Sequence, residues 1–338
     1  MIFLRNRRGI TGLRGPEKGF ALLVVILVML LTSFLVTQLV MQVRIEQKIA
    51  FNVKKRLAGT FLAEAGVSLG LFRNQVSPAE IGDERYASFH EGYLYEDFLP
   101  NGRVEYMVVN ESGKINLNTF KRPLMEMFLE YHGLDPDQIA VVIDSILDWR
   151  DTDDLHRLNG AEEDAYMDLE DPYIPRNGKI KDPAEFFLVN GTDVLENRFD
   201  PQMVFTVYNP ISLINFNSLS PEMLAFLVED DEEKIEAYRE AQEAKTGKTM
   251  LASADALAVL GNERFVAVSK YLTYSSGKNR YFSIQSLGQA GVTEDETVQG
   301  EEPGLEEKKH LPGVRITVLM QALGGSNYKY LAWKERYS

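Results

Sequence analysis

The chain of 338 residues has no cysteine and only four histidines. Without cysteine there is no disulfide to staple an extracytoplasmic domain and no thiolate to act as nucleophile or metal ligand. Any staple must be packing or a metal held by oxygen. His90, His132, His156 and His310 are not paired at ligand spacing, and no Ser/His/Asp arrangement or phosphate loop is visible. Positive charge is also short: 36 Lys and Arg face 50 Asp and Glu, a formal net charge of −14. A polyanion lacks the basic footprint that a phosphate backbone requires, which excludes nucleic acid as a partner. Such acidity suits divalent cations or a basic partner surface. Apolar material is ample, at 45% hydrophobic residues, and the length allows two domains beside an anchor.

The longest apolar run organises the rest. From Lys18 to Val43 the chain is uncharged after its first residue, and charge returns only at Arg44. As a helix the apolar part is roughly 36 Å long, enough to cross a bilayer. Ahead of it stands a leader carrying Arg5, Arg7, Arg8, Arg14 and Lys18 against Glu17. Removing that net +4 takes the remaining chain from −14 to −18. The run is too long for a signal-peptide h-region, and no small-residue cleavage site follows it. Helix-compatible sequence continues past the membrane edge through Arg44, Glu46, Lys48, Lys54, Lys55 and Arg56 to about Arg73. The whole reads as one helix of roughly 80 Å, apolar first and amphipathic later.

A basic leader, a Gly-Phe junction and such a helix resemble the type IV pilin and pseudopilin family. The resemblance implies that prepilin peptidase cuts between Gly19 and Phe20 on the cytoplasmic side. One position departs from the common pattern: the fifth residue after the cut is Val24 where most pilins carry glutamate. In the family that glutamate is thought to neutralise the amino terminus of a neighbouring subunit, so a subunit without it packs abnormally or has no neighbour above it. A generic single-pass anchor accounts for the same run without any of this.

Beyond the helix, Tyr93 to Asn118 alternates around a Leu-Pro-Asn-Gly turn at 99–102, with a second turn at Glu111-Ser112-Gly113-Lys114, and reads as a meander. Helical periodicity then predicts helices over 123–131, 136–149, 183–190, 192–198, 220–229, 231–245 and 252–260. From Arg264 the pattern predicts strands again: a hairpin of Phe265–Tyr274 with Tyr281–Leu287, an acidic loop over 291–310, then Val314–Ala322 and Tyr328–Trp333. The expected architecture is α+β, a long N-terminal transmembrane and amphipathic helix packed on an antiparallel pilin-like sheet with a large helical domain inserted into it. Its parts are a leader (1–19), a membrane segment (20–43), the first part of the pilin-like domain (44–118), the insertion (119–262) and the rest of the sheet (263–338). The insertion repeats itself: Ile115-Asn116-Leu117-Asn118-Thr119 recurs as Ile214-Asn215-Phe216-Asn217-Ser218, with Pro123 or Pro221 following. Asn-x-Asn side chains are expected to cap helix N-termini.

Chemistry concentrates in Asp148-Trp149-Arg150-Asp151-Thr152-Asp153-Asp154 and Asn159-Gly160-Ala161-Glu162-Glu163-Asp164-Ala165-Tyr166. Hard oxygen ligands massed on a loop after a helix suit Ca²⁺ and not zinc. With Asp151 as position 1, an EF-hand register would need glycine where His156 stands, so this is not that motif. Ligand chemistry points to Asp148, Asp151, Asp153 and Glu162 as a structural calcium set. A solvated acidic loop and a glycosidase-type acid/base pair are the other readings.

The Asp-Trp-x-Asp-x-Asp-Asp…Asn-Gly-Ala-Glu…Tyr signature, the duplicated Asn-x-Asn element, Ala-Trp-Lys-Glu at 332–335 and Val24 are similar to the protein K family of type II secretion. That resemblance implies a non-enzymatic minor pseudopilin in the inner membrane, single-pass, with its C-terminal domain in the periplasm. It implies a place at the pseudopilus tip with minor pseudopilins I and J, initiating assembly and aiding export of folded proteins. Calcium sites belong to the family, and the outer-membrane secretin or the cargo is a further expected contact. A minor pilin of a surface type IV pilus, serving adhesion or priming, shares the anchor but not the insertion.

Overall fold

The computed structural model describes residues 17–75, 89–209, 211–245, 250–275, 280–292, 313–324 and 327–337. The leader before residue 17 and the expected acidic loop from 293 onward lie outside the described residues. The chain divides into a unit ending at Leu57 and one beginning at Ala58.

Helix α1 runs from Glu17 to Gln75, and every residue from Phe20 to Leu57 is exposed. This stretch is long and apolar enough to cross a membrane. Two of its hydroxyls are satisfied within the helix: Thr32 and Thr37 donate to the carbonyls of Val28 and Ser33 at 2.9 and 2.8 Å. A polar side chain that satisfies itself on its own helix leaves no donor to the hydrocarbon.

From Ala58 onward α1 lies on a five-stranded antiparallel sheet. Its strands are β1 (Tyr95–Leu99), β2 (Gly102–Asn110), β7 (Tyr281–Ala290), β8 (Val314–Gly324) and β9 (Asn327–Tyr337), in that order. Strand alternation sends Val108, Ile284, Ile316 and Val318 to Ala63 and Val67 of the helix. The contact is close because it is made of small residues. A Cβ at Gly288 would collide with the Gly59 carbonyl and lie 2.5 Å from the Ala63 nitrogen, and one at Gly66 would meet Ser286 and Val104. Arg73 closes the seam, buried over the Tyr95 and Tyr106 rings at 4.5 and 5.3 Å and 3.7 Å from Asp97. The opposite alternation, Met107 and Val109, meets Met203 of the helical block.

That block is spliced between β2 and β7. It contains α2 (Arg122–Tyr131), α3 (Pro136–Trp149), α4 (Glu163–Met167), α5 (Pro201–Val204), α6 (Pro221–Val228), α7 (Glu232–Ala244), α8 (Ser253–Leu260) and α9 (Asn262–Val268). A single apolar core runs through it from Ile115 to Leu272. The two repeats are structurally alike. β3 (Ile115–Asn116) pairs in parallel with β4 (Phe205–Thr206), and β5 (Ile214–Asn215) with β6 (Leu272–Thr273). In each repeat the first asparagine accepts from the amide two residues on, Asn118 at 2.7 Å and Asn217 at 3.2 Å. The second clamps a distant backbone with a donor and an acceptor together: Asn118 holds Ile180 at 2.9 Å both ways, and Asn217 holds Leu251 at 2.7 and 3.0 Å. These asparagines therefore fix turns and remote strands, and Asn215 caps only the short 3₁₀ turn Phe216–Ser218. The N-caps of α2 and α6 are Lys121 and Ser220.

Two expectations are corrected. Residues 183–188 and 193–195 close as 3₁₀ turns, not α-helices. The hairpin of 265–274 with β7 does not form, because 262–268 is helix and only Leu272–Thr273 is extended, paired with β5. The β-branched run there is shared between an exposed Val266 and a buried Val268, while Arg264 caps the carbonyls of Phe226 and Leu227 at 2.8 and 3.0 Å. Packing on α6 overrides local propensity.

The small-residue seam predicts that Gly288→Ala costs at least about 2 kcal/mol, because backbone cannot give way to the added methyl. Gly178→Ala, whose Cβ would have only one neighbour at 3.8 Å, should be near neutral. Denaturant unfolding of the two variants compares them; equal midpoints would show that the seam is loose.

Candidate metal centre

The acidic loop begins on α3. Its N-terminus is secured by a capping box between Asp135 and Gln138, and Val142, Ile143, Ile146 and Trp149 of the same helix are buried in the block's core. This fixes Asp148 in the last turn, where it is 0% exposed. A carboxylate there faces the negative end of the helix dipole and cannot stay charged without an answering cation. Arg157 supplies it. Its guanidinium bonds Asp148 Oδ1 and, at 2.6 Å, Asp151 Oδ2, while its amide donates to Asp148 Oδ2 at 3.0 Å.

The rest of the signature builds the walls. Trp149 stacks edge-on to Tyr166 at 5.2 Å, Tyr166 lies 5.4 Å from Tyr173, and the Tyr166 hydroxyl accepts from the Asn190 amide at 3.1 Å. Asn159 donates to Asp144 at 3.2 Å, and Asp144 also pairs with Arg122. Gly160 passes so close that a Cβ would collide with the Asp148 carboxylate. Ala161 enters the core and turns Glu162 inward, to 3% exposure.

Of the four expected ligands, Asp148 and Asp151 meet on Arg157. Asp153 stays exposed and accepts the Leu155 amide at 3.1 Å. Glu162 is buried with neither carboxylate oxygen receiving a hydrogen bond. Burial, then the charges of Asp148, Asp151, Asp154 and Asp153, pushes its carboxyl up to about 7. Asp151 Oδ1 and Asn177 Oδ1 are also buried acceptors without a donor. Asn177, in the left-handed region at φ 44°, reaches Asp154 at 3.3 Å. Among the described residues no three acidic or histidine groups stand ready as a cation cage. What the loop offers is a set of hard, undonated oxygens beside a guanidinium. Sequence reasoning assigns neither Arg157 nor Asn177 to the acidic loop; Asn177-Gly178-Lys179 stands out only as part of the internal repeat, echoed at Thr246-Gly247-Lys248.

Part of the chain resembles known proteins. Residues 107–196 match the family model for the type II secretion system protein K. Over 100 residues the chain is 32% identical to type II secretion system protein K of Klebsiella pneumoniae, covering 29% of this chain and 30% of that one. Over 90 residues it is 33% identical to the Dickeya chrysanthemi protein of the same name, covering 26% and 24%. The matched segments thus span less than a third of either relative. A solved structure of the GspK-GspI-GspJ complex from the enterotoxigenic Escherichia coli type 2 secretion system contains a chain of the same fold. It matches at TM-score 0.50 and 16% identity, over 88% of this chain and 100% of that one. A long apolar helix, an antiparallel sheet and a helical block make up this fold. The chain is thus similar to type II secretion system protein K over residues 107–196 and shares its fold with a chain of the solved complex.

The pH dependence of Glu162 has a definite sign. Folded Glu162 keeps its proton up to about pH 7, while an unfolded glutamate loses it near 4.5, so its stabilising contribution is complete below 4.5 and lost as pH rises through 7. In chelator, the melting temperature of Glu162→Gln minus that of the unmutated protein should grow between about pH 5 and about pH 8. A difference independent of pH would contradict the burial of an ionisable Glu162.

Proposed function

We propose that the chain is the tip subunit of a type II secretion pseudopilus, anchored in the inner membrane with its sheet and helical block in the periplasm. The observation that carries this is the conjunction of the protein K segment at 107–196 with an apolar helix that has Val24 in place of a glutamate. A subunit with nothing above it needs no carboxylate inside the bilayer, where a charge is costly. Prepilin peptidase removes the leader between Gly19 and Phe20. The subunit joins minor pseudopilins I and J, initiates assembly and aids export of folded proteins. The naming of the solved complex supports those partners, and the secretin or the cargo is met at the tip. Its role is structural and not enzymatic. His132 is packed among Phe128, Tyr131 and Phe199, and the carboxylates face a guanidinium.

The acidic loop holds structural calcium in this reading. The donor set is all oxygen, and Asp151, Glu162 and Asn177 present buried acceptors that no hydrogen bond satisfies. Asp148, Asp151, Asp153 and Glu162, with Asn177, are the residues that would hold the ion, whose charge relieves the repulsion that raises Glu162.

The test is reconstitution of the full chain in detergent with proteins I and J of its own system. A 1:1:1 complex is expected. Failure to bind I and J, together with incorporation along a fibre of the major subunit, would favour a pilus role.

A further inference from the structure

We infer that Arg157 is a built-in counter-cation that occupies the metal centre and must swing out for a calcium ion to enter. The inference rests on the calcium reading above. One Nη1 atom serves Asp148 and Asp151 at once, so these two carboxylates converge on a positive charge already present. The guanidinium leaves Asp151 Oδ1, both Glu162 oxygens and Asn177 Oδ1 without donors. A divalent ion drawn to those oxygens arrives beside Asp151, whose other oxygen lies 2.6 Å from the guanidinium. An ion and a guanidinium that share one carboxylate repel each other, and burial of the Asp148 and Glu162 carboxylates weakens the screening by water.

The geometry provides an exit for the side chain without unfolding the loop. The Arg157 side chain is 39% exposed, against 0% for Asp148. Its neighbours Leu155 and Leu158 are exposed as well. The backbone stays anchored whether or not the side chain leaves. The Arg157 amide is held by Asp148 at 3.0 Å and its carbonyl by Gly160 at 3.1 Å. Arginine here keeps the metal-free loop folded and sets a threshold concentration for calcium, because each cation excludes the other.

Calorimetric titration of the full chain in detergent, with calcium and separately magnesium as probes, reads the competition. Arg157→Gln should bind calcium at least about tenfold more tightly than the unmutated protein, since the ion no longer displaces a charge-assisted pair. In chelator the same variant should melt lower, so its calcium-induced rise is larger. Equal or weaker calcium binding by Arg157→Gln, with binding by the unmutated protein intact, overturns the proposal and leaves the site standing. No calcium binding by the unmutated protein removes the site itself. Should Arg157→Gln not fold in chelator, phenylglyoxal labelling of the unmutated chain gives a second readout. Arg157 should react faster with calcium than with chelator, and an equal or slower rate overturns the proposal.

Discussion

A carboxylate sealed from water at the C-terminal end of a helix demands a positive charge, and loop 150–162 is folded around that demand at Asp148. The chain returns from Asp151 to place Arg157 on the carboxylate, then passes Gly160 across it at a distance only glycine allows. Ala161 is pulled into the core and Glu162 is turned in beside the acids. The Trp149, Tyr166 and Tyr173 rings form the floor that keeps these positions fixed. The spacing of the signature is thus the spacing of one closed turn. Removing the positive charge would leave a buried anion, a loss of several kcal/mol in comparable settings.

A second constraint explains how a helical block can interrupt a sheet. Each half is pinned by a two-residue parallel ladder and an asparagine that reads both backbone groups of a distant residue, Ile180 or Leu251. At the joint with the sheet, Lys114 and Glu111 are buried together and share Ser283 of β7, at 3.2 and 3.1 Å. Gly113 lies against the Ser218 carbonyl, where no side chain fits. The block and the sheet are therefore welded by polar groups that have no partners unless both are in place.

Much of this was legible in the sequence. The range 136–149 was readable to the residue because Asp135, Pro136 and Gln138 spell a helix start and the acids mark its end. The β-meander and the insertion followed from the change of period at Leu117. The repeat was visible, though the reach of its second asparagine was not, since the partner lies 62 residues away in one copy and 34 in the other. Phe265–Val268 misled because a helix face and a strand face look alike over four residues, and only contact with α6 decides. The acidic cluster announced itself, but Arg157 did not, because an arginine among acids is indistinguishable in sequence from a solvated one. The glycines of α1 likewise carry no label saying that a strand lies against them.

The central proposal is that the chain ends a fibre and does not build its length. The direct measurement is the position and copy number of the chain in sheared pseudopili, by epitope labelling of β9 in electron micrographs and quantitative mass spectrometry. One copy per fibre, at one end, is the predicted result. Label repeated along the shaft, or a copy number that rises with fibre length, would contradict the account.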